Sequence, residues 1–577
     1  MVSTSPAPLR SNTPPKLRAF FYLLIAGVLT LLLLGVGGLV WLASGNPFAV
    51  LQSGDRSPTT AMFVPRQAPV MVSLLVNPDR LEDFRLASVR PGERRRARTE
   101  LVRLKQNLLQ RTGFNYEQDI QPWIGDEVTF AVTATDFDRD QNNGQQAGYL
   151  LAIDSRDPAK AREFLQLFWQ KQAIAGVNLV FEQFAGVKII HSGENVEASE
   201  SQRLQPPATA LVGNRFVLFA NHPKVLRDAV NNVQAPELSL DSTSTYQQAI
   251  EHLPHRQMAV AFVNFAQLAY WLDKTPQVAN LSQRYESLAA ALKLDRQGLI
   301  ADTALLVAAG ETLPIAEPRL SKPVKALQYI PAASPLAAAG EDLRQFRAQL
   351  AAGIAPYQPL ANLVDQVQTD LESRWGLQPE DLFDWVTGEF ALGMVTPIER
   401  KAAPDWIFVT QRTPDTTEQL RRFDSIAEQR GLNTVALTLD DQTVSTWTKL
   451  STEANSRSSE GIDLKAEVQG VHASVGKYEI LTTSVEAMRQ ALNTSDSITD
   501  NEAFEEAIAA LEKSNDGYLY LDWPTIERVA GQRIPLARLA RMATKPVLEN
   551  VRSLTVTSYG SEETVQRGAI YLRLKDT

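Results

Sequence analysis

The chain has 577 residues, 44% of them hydrophobic, and a formal net charge of −9 at pH 7. That composition is enough to build real cores, and the acidic balance argues against a general nucleic-acid binder. Cysteine is absent, which excludes disulfides, a cysteine nucleophile, iron–sulfur clusters, thiolate zinc sites and an acylated lipoprotein anchor.

Residues 1–18 form a short tail carrying Arg10, Lys16 and Arg18, and residues 19–43 follow without a single charge. A helix of that length exceeds the ~30 Å hydrocarbon core of a bilayer. The upstream positive charges keep the tail cytoplasmic and export the rest. The reading is a single-pass transmembrane signal anchor, with the bulk extracytoplasmic. A cleaved signal peptide is the competing reading, since Ala43-Ser44-Gly45 offers a small-x-small site. The apolar run is, however, far longer than an h-region of roughly 7–15 residues. Residues 44–60 read as a linker.

Beyond it, the chain says nearly the same thing twice. Phe63-Val64-Pro65-x-x-x-Pro69 returns as Tyr329-Ile330-Pro331-x-x-x-Pro335. Asp119-Ile120-x-x-Trp123-Ile124-x-x-Glu127 returns as Asp381-Leu382-x-x-Trp385-Val386-x-x-Glu389. Arg227-x-Ala229-x-Asn231, Tyr246-x-x-Ala249-Ile250-x-x-Leu253 and Phe262-x-Asn264-Phe265 recur in order at Arg489, Phe504 and Tyr520. The expectation is two tandem ectodomain repeats, 61–314 and 325–577, joined by a proline-rich linker over 315–324.

Within the first repeat, Val70 to Val76 reads as a strand and Glu93 to Arg111 as a helix stopped by Gly113. Val128 to Thr135 and Gly148 to Asp154 read as strands, and Asp157-Pro158 opens a helix to about Ala175. Short strands flank Gly186, and a hairpin turns at Gly213-Asn214. Helices near 223–233 and 243–253 precede a strand at Met258 to Val263. A helical stretch is expected over 276–293 and a strand over Gly298 to Val307. Polar loops are expected at Ser192 to Pro207 and Thr452 to Gly470. The fold class is α+β: an N-terminal transmembrane helix, then two duplicated repeats with largely antiparallel sheets and packed helices.

Candidate chemistry is sparse. The Asp119/Glu127 and Asp381/Glu389 pairs have acid–base residue types. A folding role explains their retention in both copies better, with Asp119 capping a short helix, Trp123 packed beneath and Glu127 starting a strand. Asp136, Asp138 and Asp140 alternate like the start of a calcium loop. Gln141 and Ala147 stand where that loop needs glycine and glutamate, so a solvated hairpin tip is the better account. Gly470…Gly476-Lys477 has the wrong spacing for a phosphate loop, and Tyr478 follows where a Ser or Thr must hold magnesium. His252 and His255 lack partners at metal-ligand spacing. No catalytic residue, cofactor or nucleotide is expected. The one dense basic stretch includes Arg94, Arg95, Arg96 and Arg98 and could contact an anionic membrane surface; the plainer alternative is a solvated helix face.

The anchor, the aromatic-aliphatic-Pro-x-x-x-Pro opening, the Asp-x-x-x-Trp-x-x-x-Glu element and the glycine-turn hairpin together resemble domain-of-unknown-function family 3352. This is a family of membrane-anchored, exported bacterial proteins common in cyanobacteria. The resemblance covers nearly all of both repeats. It implies an extracytoplasmic, membrane-tethered protein on the periplasmic side of the plasma membrane, or in the thylakoid lumen, and carries over no ligand residues. The expected function is a non-enzymatic binding or scaffold ectodomain whose partner is an envelope protein or lipid. A carrier or sensor of an apolar or lipid ligand is the alternative, and a hydrolase without a familiar signature a weaker one.

Overall fold

The computed structural model describes residues 57–77, 114–140, 144–193, 206–271, 282–295, 298–354, 385–396, 403–439, 441–454, 462–530 and 551–574, with a few residues between 364 and 372. The expected anchor (19–43), the basic stretch with Arg94 to Arg98 and the helix expected over Glu93 to Arg111 lie outside these residues. Among the described residues, no helix is long and apolar enough to cross a membrane.

In chain order the first half contains β1 (Val70–Leu74), β2 (Ile124–Ala134), β3 (Gly148–Ser155), α1 (Pro158–Ile174), β4 (Leu179–Phe184), β5 (Val187–Ser192), β6 (Ala208–Val212) and β7 (Phe216–Ala220). Next come α2 (Pro223–Gln234), α3 (Ser244–Glu251), β8 (Ala259–Asn264), α4 (Phe265–Trp271), β9 (Tyr285–Asp295) and β10 (Gly298–Val307). The second half contains β11 (Leu336–Gly340), α5 (Leu343–Ile354), β12 (Phe390–Val395), β13 (Asp405–Gln411), α6 (Thr416–Gln429), β14 (Asn433–Leu439), β15 (Gln442–Ala454), β16 (Ile462–Val475) and β17 (Tyr478–Thr482). It ends with α7 (Val485–Leu492), α8 (Glu502–Ala509), β18 (Gly517–Asp522), α9 (Trp523–Ala530), β19 (Val551–Ser561) and β20 (Val565–Leu574).

Local chemistry explains many of these boundaries. The Asp157 carboxylate accepts the Ala159 and Lys160 N–H groups at 3.0 and 3.1 Å, and Pro158 opens α1 without losing a bond. Thr243, Ser484 and Asn501 cap α3, α7 and α8 in the same manner. Gly213 and Asn214 take φ of 58° and 55°, left-handed values at the head of the three-residue turn between β6 and β7, where the Arg215 N–H closes on the Val212 carbonyl.

Among the described residues all pairings are antiparallel and build one 20-stranded sheet. The first half contributes the order β4-β5-β6-β7-β3-β2-β1-β8-β9-β10. The second runs β20-β19-β18-β11-β12-β13-β17-β16-β15-β14, the same order mirrored. The halves meet at β10 and β20, with Gly298 opposite Arg573, Asp302 opposite Ala569 at the midpoint, and Leu306 opposite Val565. Buried side chains cross this seam. Ile300 shares a core with Ala569 and Tyr571, and Val565 shares one with Ala304 and Leu306. The proline-rich stretch is stitched to the second half by bridges from Ala316 to Ser561 and from Leu320 to Asn515.

Helices cover both faces. In the second half, α7 and α8 contribute Met488 and Phe504 to one core, while α5, α6 and α9 contribute Phe346, Phe423 and Ile526 to the other. Strands buried on both sides lose the apolar–polar alternation, so β11 and β17 are buried throughout.

Two expectations are corrected. The helical stretch expected over 276–293 contains strand β9 from Tyr285, paired with β8 and β10. Its alanines favour a helix in isolation, but Ala289 and Ala291 give the room that Tyr246 and Phe262 fill, while Leu288 faces the opposite core. The loop expected at Thr452 to Gly470 is largely a ribbon of β15 and β16, paired as far as Ala454 opposite Ile462. Most of the loop expected at Ser192 to Pro207 lies outside the described residues.

Candidate functional site

The repeated carboxylates are placed first. A short 3-10 helix, Thr59–Phe63, precedes β1. Glu127 on β2 sits at its N-terminus, is 7% exposed and accepts the Thr59 and Thr60 N–H groups at 3.1 and 2.7 Å and both threonine hydroxyls at 2.5 and 2.6 Å. In the second half, the 3-10 helix Lys325–Tyr329 is held by Glu389, which accepts the Lys325 and Ala326 N–H groups at 3.0 and 3.3 Å and the Tyr478 hydroxyl at 2.7 Å. Both carboxylates therefore satisfy the orphan donors of a helix start. The Pro65 and Pro331 motifs follow at once and bridge to Ser239 and Ser497.

Asp119 lies in a short π-helical turn, Tyr116–Ile120, capped by the Asn115 side chain. Its carboxylate accepts the Asn115 N–H at 2.7 Å, so it completes the cap from inside the turn. Trp123 is 2% exposed, donates its indole N–H to the Asp119 carbonyl and packs on Phe164 of α1. Trp385 meets Phe423 of α6 edge-on, with ring centroids 6.1 Å apart, and is half-buried. Asp381 lies outside the described residues.

At the β2–β3 tip, Asp138 accepts the Asp140 N–H at 3.1 Å and Asp136 accepts the Gln146 N–H at 3.3 Å. Partial burial and the neighbouring Asp138 push the Asp136 carboxyl above its usual range. Among the described residues, no group of three or more His, Asp or Glu side chains could hold a metal ion. Gly476-Lys477 forms the β16–β17 turn, with Tyr478 starting β17 rather than a helix. His472 belongs to a structural cluster: Asp424 on α6 accepts the Trp447 indole N–H at 2.7 Å and lies 3.1 Å from His472 Nε2. Burial opposes the Asp424 charge, but these two hydrogen bonds outweigh it and hold the carboxyl below its usual range.

A small cavity lined by both halves lies beneath α5 at the seam. Leu288, Thr303 and Leu305 of the first half and Gln566, Ala569 and Val556 of the second surround a cavity of about 30 Å³, roofed by Phe346 and Gln349. Gln566 Nε2 donates to the Gln349 carbonyl at 2.7 Å, while the Gln349 side-chain amide, in a residue 6% exposed, makes no hydrogen bond of normal geometry. Close by, Gln345 Nε2 donates to Asp516 at 3.0 Å. Burial raises the Asp516 carboxyl to about 6. A space of that size has room for a single water molecule, and its lining is largely apolar, with Gln349 and Gln566 among its few polar groups. Sequence reading passed over Asp516, Gln345 and Gln349. Asp516 sits in Ser514-Asn515-Asp516-Gly517, which reads as an ordinary turn, and the glutamines have no local signature.

A family described as "Protein of unknown function (DUF3352)" matches residues 24–574. The chain belongs to this family. Comparison with curated proteins finds no match. Among solved structures, three crystal forms of TP0453 (I, III and IV) are similar at 11%, 14% and 13% identity. They cover 44%, 47% and 46% of this DUF3352 chain and 81%, 82% and 82% of their own, with TM-scores of 0.21, 0.20 and 0.20. Scores this low support no argument about fold or function.

Proposed function

We propose that this DUF3352 protein is a membrane-anchored, extracytoplasmic scaffold without catalytic activity, which binds an envelope protein or lipid. We further propose that its two halves arose by tandem duplication of one α+β unit. The observation that carries the first reading is the fate of the repeated carboxylates. Glu127 and Glu389 are committed to capping equivalent 3-10 helices, so the pair most suggestive of acid–base chemistry serves the fold. The mirrored strand order supports the duplication, as does the Tyr246–Phe262 edge-to-face ring pair, which recurs as Phe504–Tyr520, both with centroids 5.3 Å apart. A carrier of apolar cargo needs a cavity of roughly 300–1,000 Å³, whereas the seam cavity holds about 30 Å³.

The uncharged run over 19–43 supports the tether. Protease added to spheroplasts should degrade the ectodomain. If the address is the thylakoid, digestion should require opening the membrane from the lumenal side. Digestion of the ectodomain by protease acting from the cytoplasmic side would overturn this orientation. Cross-linking in intact membranes, followed by capture of the full-length protein and identification of bound proteins and lipids, tests the scaffold reading. Recovery of the protein with neither would reject it.

A further inference from the structure

The two ends of the sheet are finished differently. At one end, β4 carries Glu182, whose carboxylate lies 3.2 Å from Arg227 and 3.9 Å from His191. A charge on an edge strand discourages another strand from pairing there. At the other end, β14 reads Asn433-Thr434-Val435-Ala436-Leu437-Thr438-Leu439, with no charge, no proline and no glycine. The six residues from Asn433 to Thr438 are exposed, and among the described strands β14 pairs only with β15. Val435 and Leu437, at 44% and 42% exposure, share the face of Leu439, whose side chain is buried in the core with Val444. The apolar layer of the second half thus runs out to the rim and stops uncovered.

We propose that this edge is where a second copy of the chain binds, with the two β14 strands pairing antiparallel about a two-fold axis at Ala436. Two features of the strand point to a second copy rather than an unrelated strand. In a two-fold contact every residue meets the same stretch of its mate, so a charge near the axis would face its like. β14 has none, and centring on Ala436 places Val435 opposite the second copy's Leu437 on one continuous apolar face. The chain also already closes one edge in this way, since β10 and β20 pair antiparallel about Asp302 and Ala569 with no turn between them.

The absence of cysteine allows a direct test. Full-length protein in detergent, carrying Ala436→Cys, is oxidised under mild conditions and run on non-reducing gels. Directly opposed residues in an antiparallel pair have Cα atoms about 4.5–5.5 Å apart, inside the disulfide window of about 4.4–6.8 Å. The expected result is a covalent dimer with Ala436→Cys and none with Gln183→Cys, an exposed position on β4. Adding Val435→Lys and Leu437→Lys should abolish that dimer and leave the melting temperature unchanged, because both side chains already meet solvent in the single chain. Equal cross-linking at both positions, or none at 436, would overturn the proposal. A covalent dimer that forms only when the Ala436→Cys and Gln183→Cys proteins are mixed would also overturn it, assigning a head-to-tail contact of β14 with β4 instead.

Discussion

Asp516 is ionised at neutral pH at a cost, because burial raises its carboxyl to about 6 while the unfolded chain keeps the ordinary value of 3.8. A raised folded-state value means that the native protein binds the proton more tightly than the unfolded chain does. Its contribution to stability is therefore greatest in acid and falls as pH rises from about 4 to about 6. Asp516→Asn removes the charge at nearly constant shape. The variant should be more stable than wild type at pH 7, and this advantage should vanish near pH 4, as read from denaturant midpoints across that range. At the same scale, Trp123→Ala should cost about 3–5 kcal/mol, since a fully buried indole packed on Phe164 leaves a large void. Trp385→Ala should cost less, because that ring is half-buried. Equal losses in urea titrations would show that exposure does not rank the two sites.

The 3-10 helices capped by Glu127 and Glu389 show how an element depends on a distant residue. Neither Thr59–Phe63 nor Lys325–Tyr329 carries a side-chain cap of its own; each borrows a carboxylate more than sixty residues away, Glu127 on β2 and Glu389 just before β12. Replacing a charged acceptor bound to backbone donors costs roughly 1.5–3 kcal/mol. Glu127→Gln should lie at the upper end, since it serves four donors, two of them hydroxyls. Glu389→Gln should also release the Tyr478 hydroxyl, whose ionisation burial and the Glu389 charge now suppress. Tyrosine absorbance followed in an alkaline titration should show Tyr478 titrating at lower pH in that variant. Strand β9 makes the complementary point, because its helix-favouring alanines are overruled by neighbours on both sides.

Across the whole molecule, the β10–β20 seam and its shared cores should make the two halves unfold together. Fluorescence and far-UV circular dichroism should report one coincident transition. Thr303 is a discriminating place to cut, being paired on both sides, opposite Ala290 and Gly568, with its hydroxyl on the Gly568 carbonyl. Proline there must forfeit a ladder bond on one side or the other. Thr303→Pro should lower the melting temperature and split the transition in two. A variant that still melts in one step would show that the helices, not the seam, couple the halves.

The amino-acid sequence alone determined where recurring local chemistry would fall. The cap at Asp157 and the Gly213-Asn214 turn are written in neighbouring residues and form from their own segments, and strand β10 and the paired Pro and Trp–Glu motifs can be located in the sequence although their partners lie elsewhere. It could also state the antiparallel α+β character, because short strands joined by tight turns pair with their neighbours. Tertiary structure decided the rest. That β9 is a strand, that Thr452 to Ala454 and Ile462 to Gly470 belong to a ribbon, and that the halves join through β10 and β20 all depend on partners remote in the chain. So does the character of Asp516 and Gln349, ordinary polar residues until α5 closes over the seam. Local segments fix their own turns and caps through bonds they make with themselves. Burial, pairing and the value of a charge are fixed by what arrives from elsewhere.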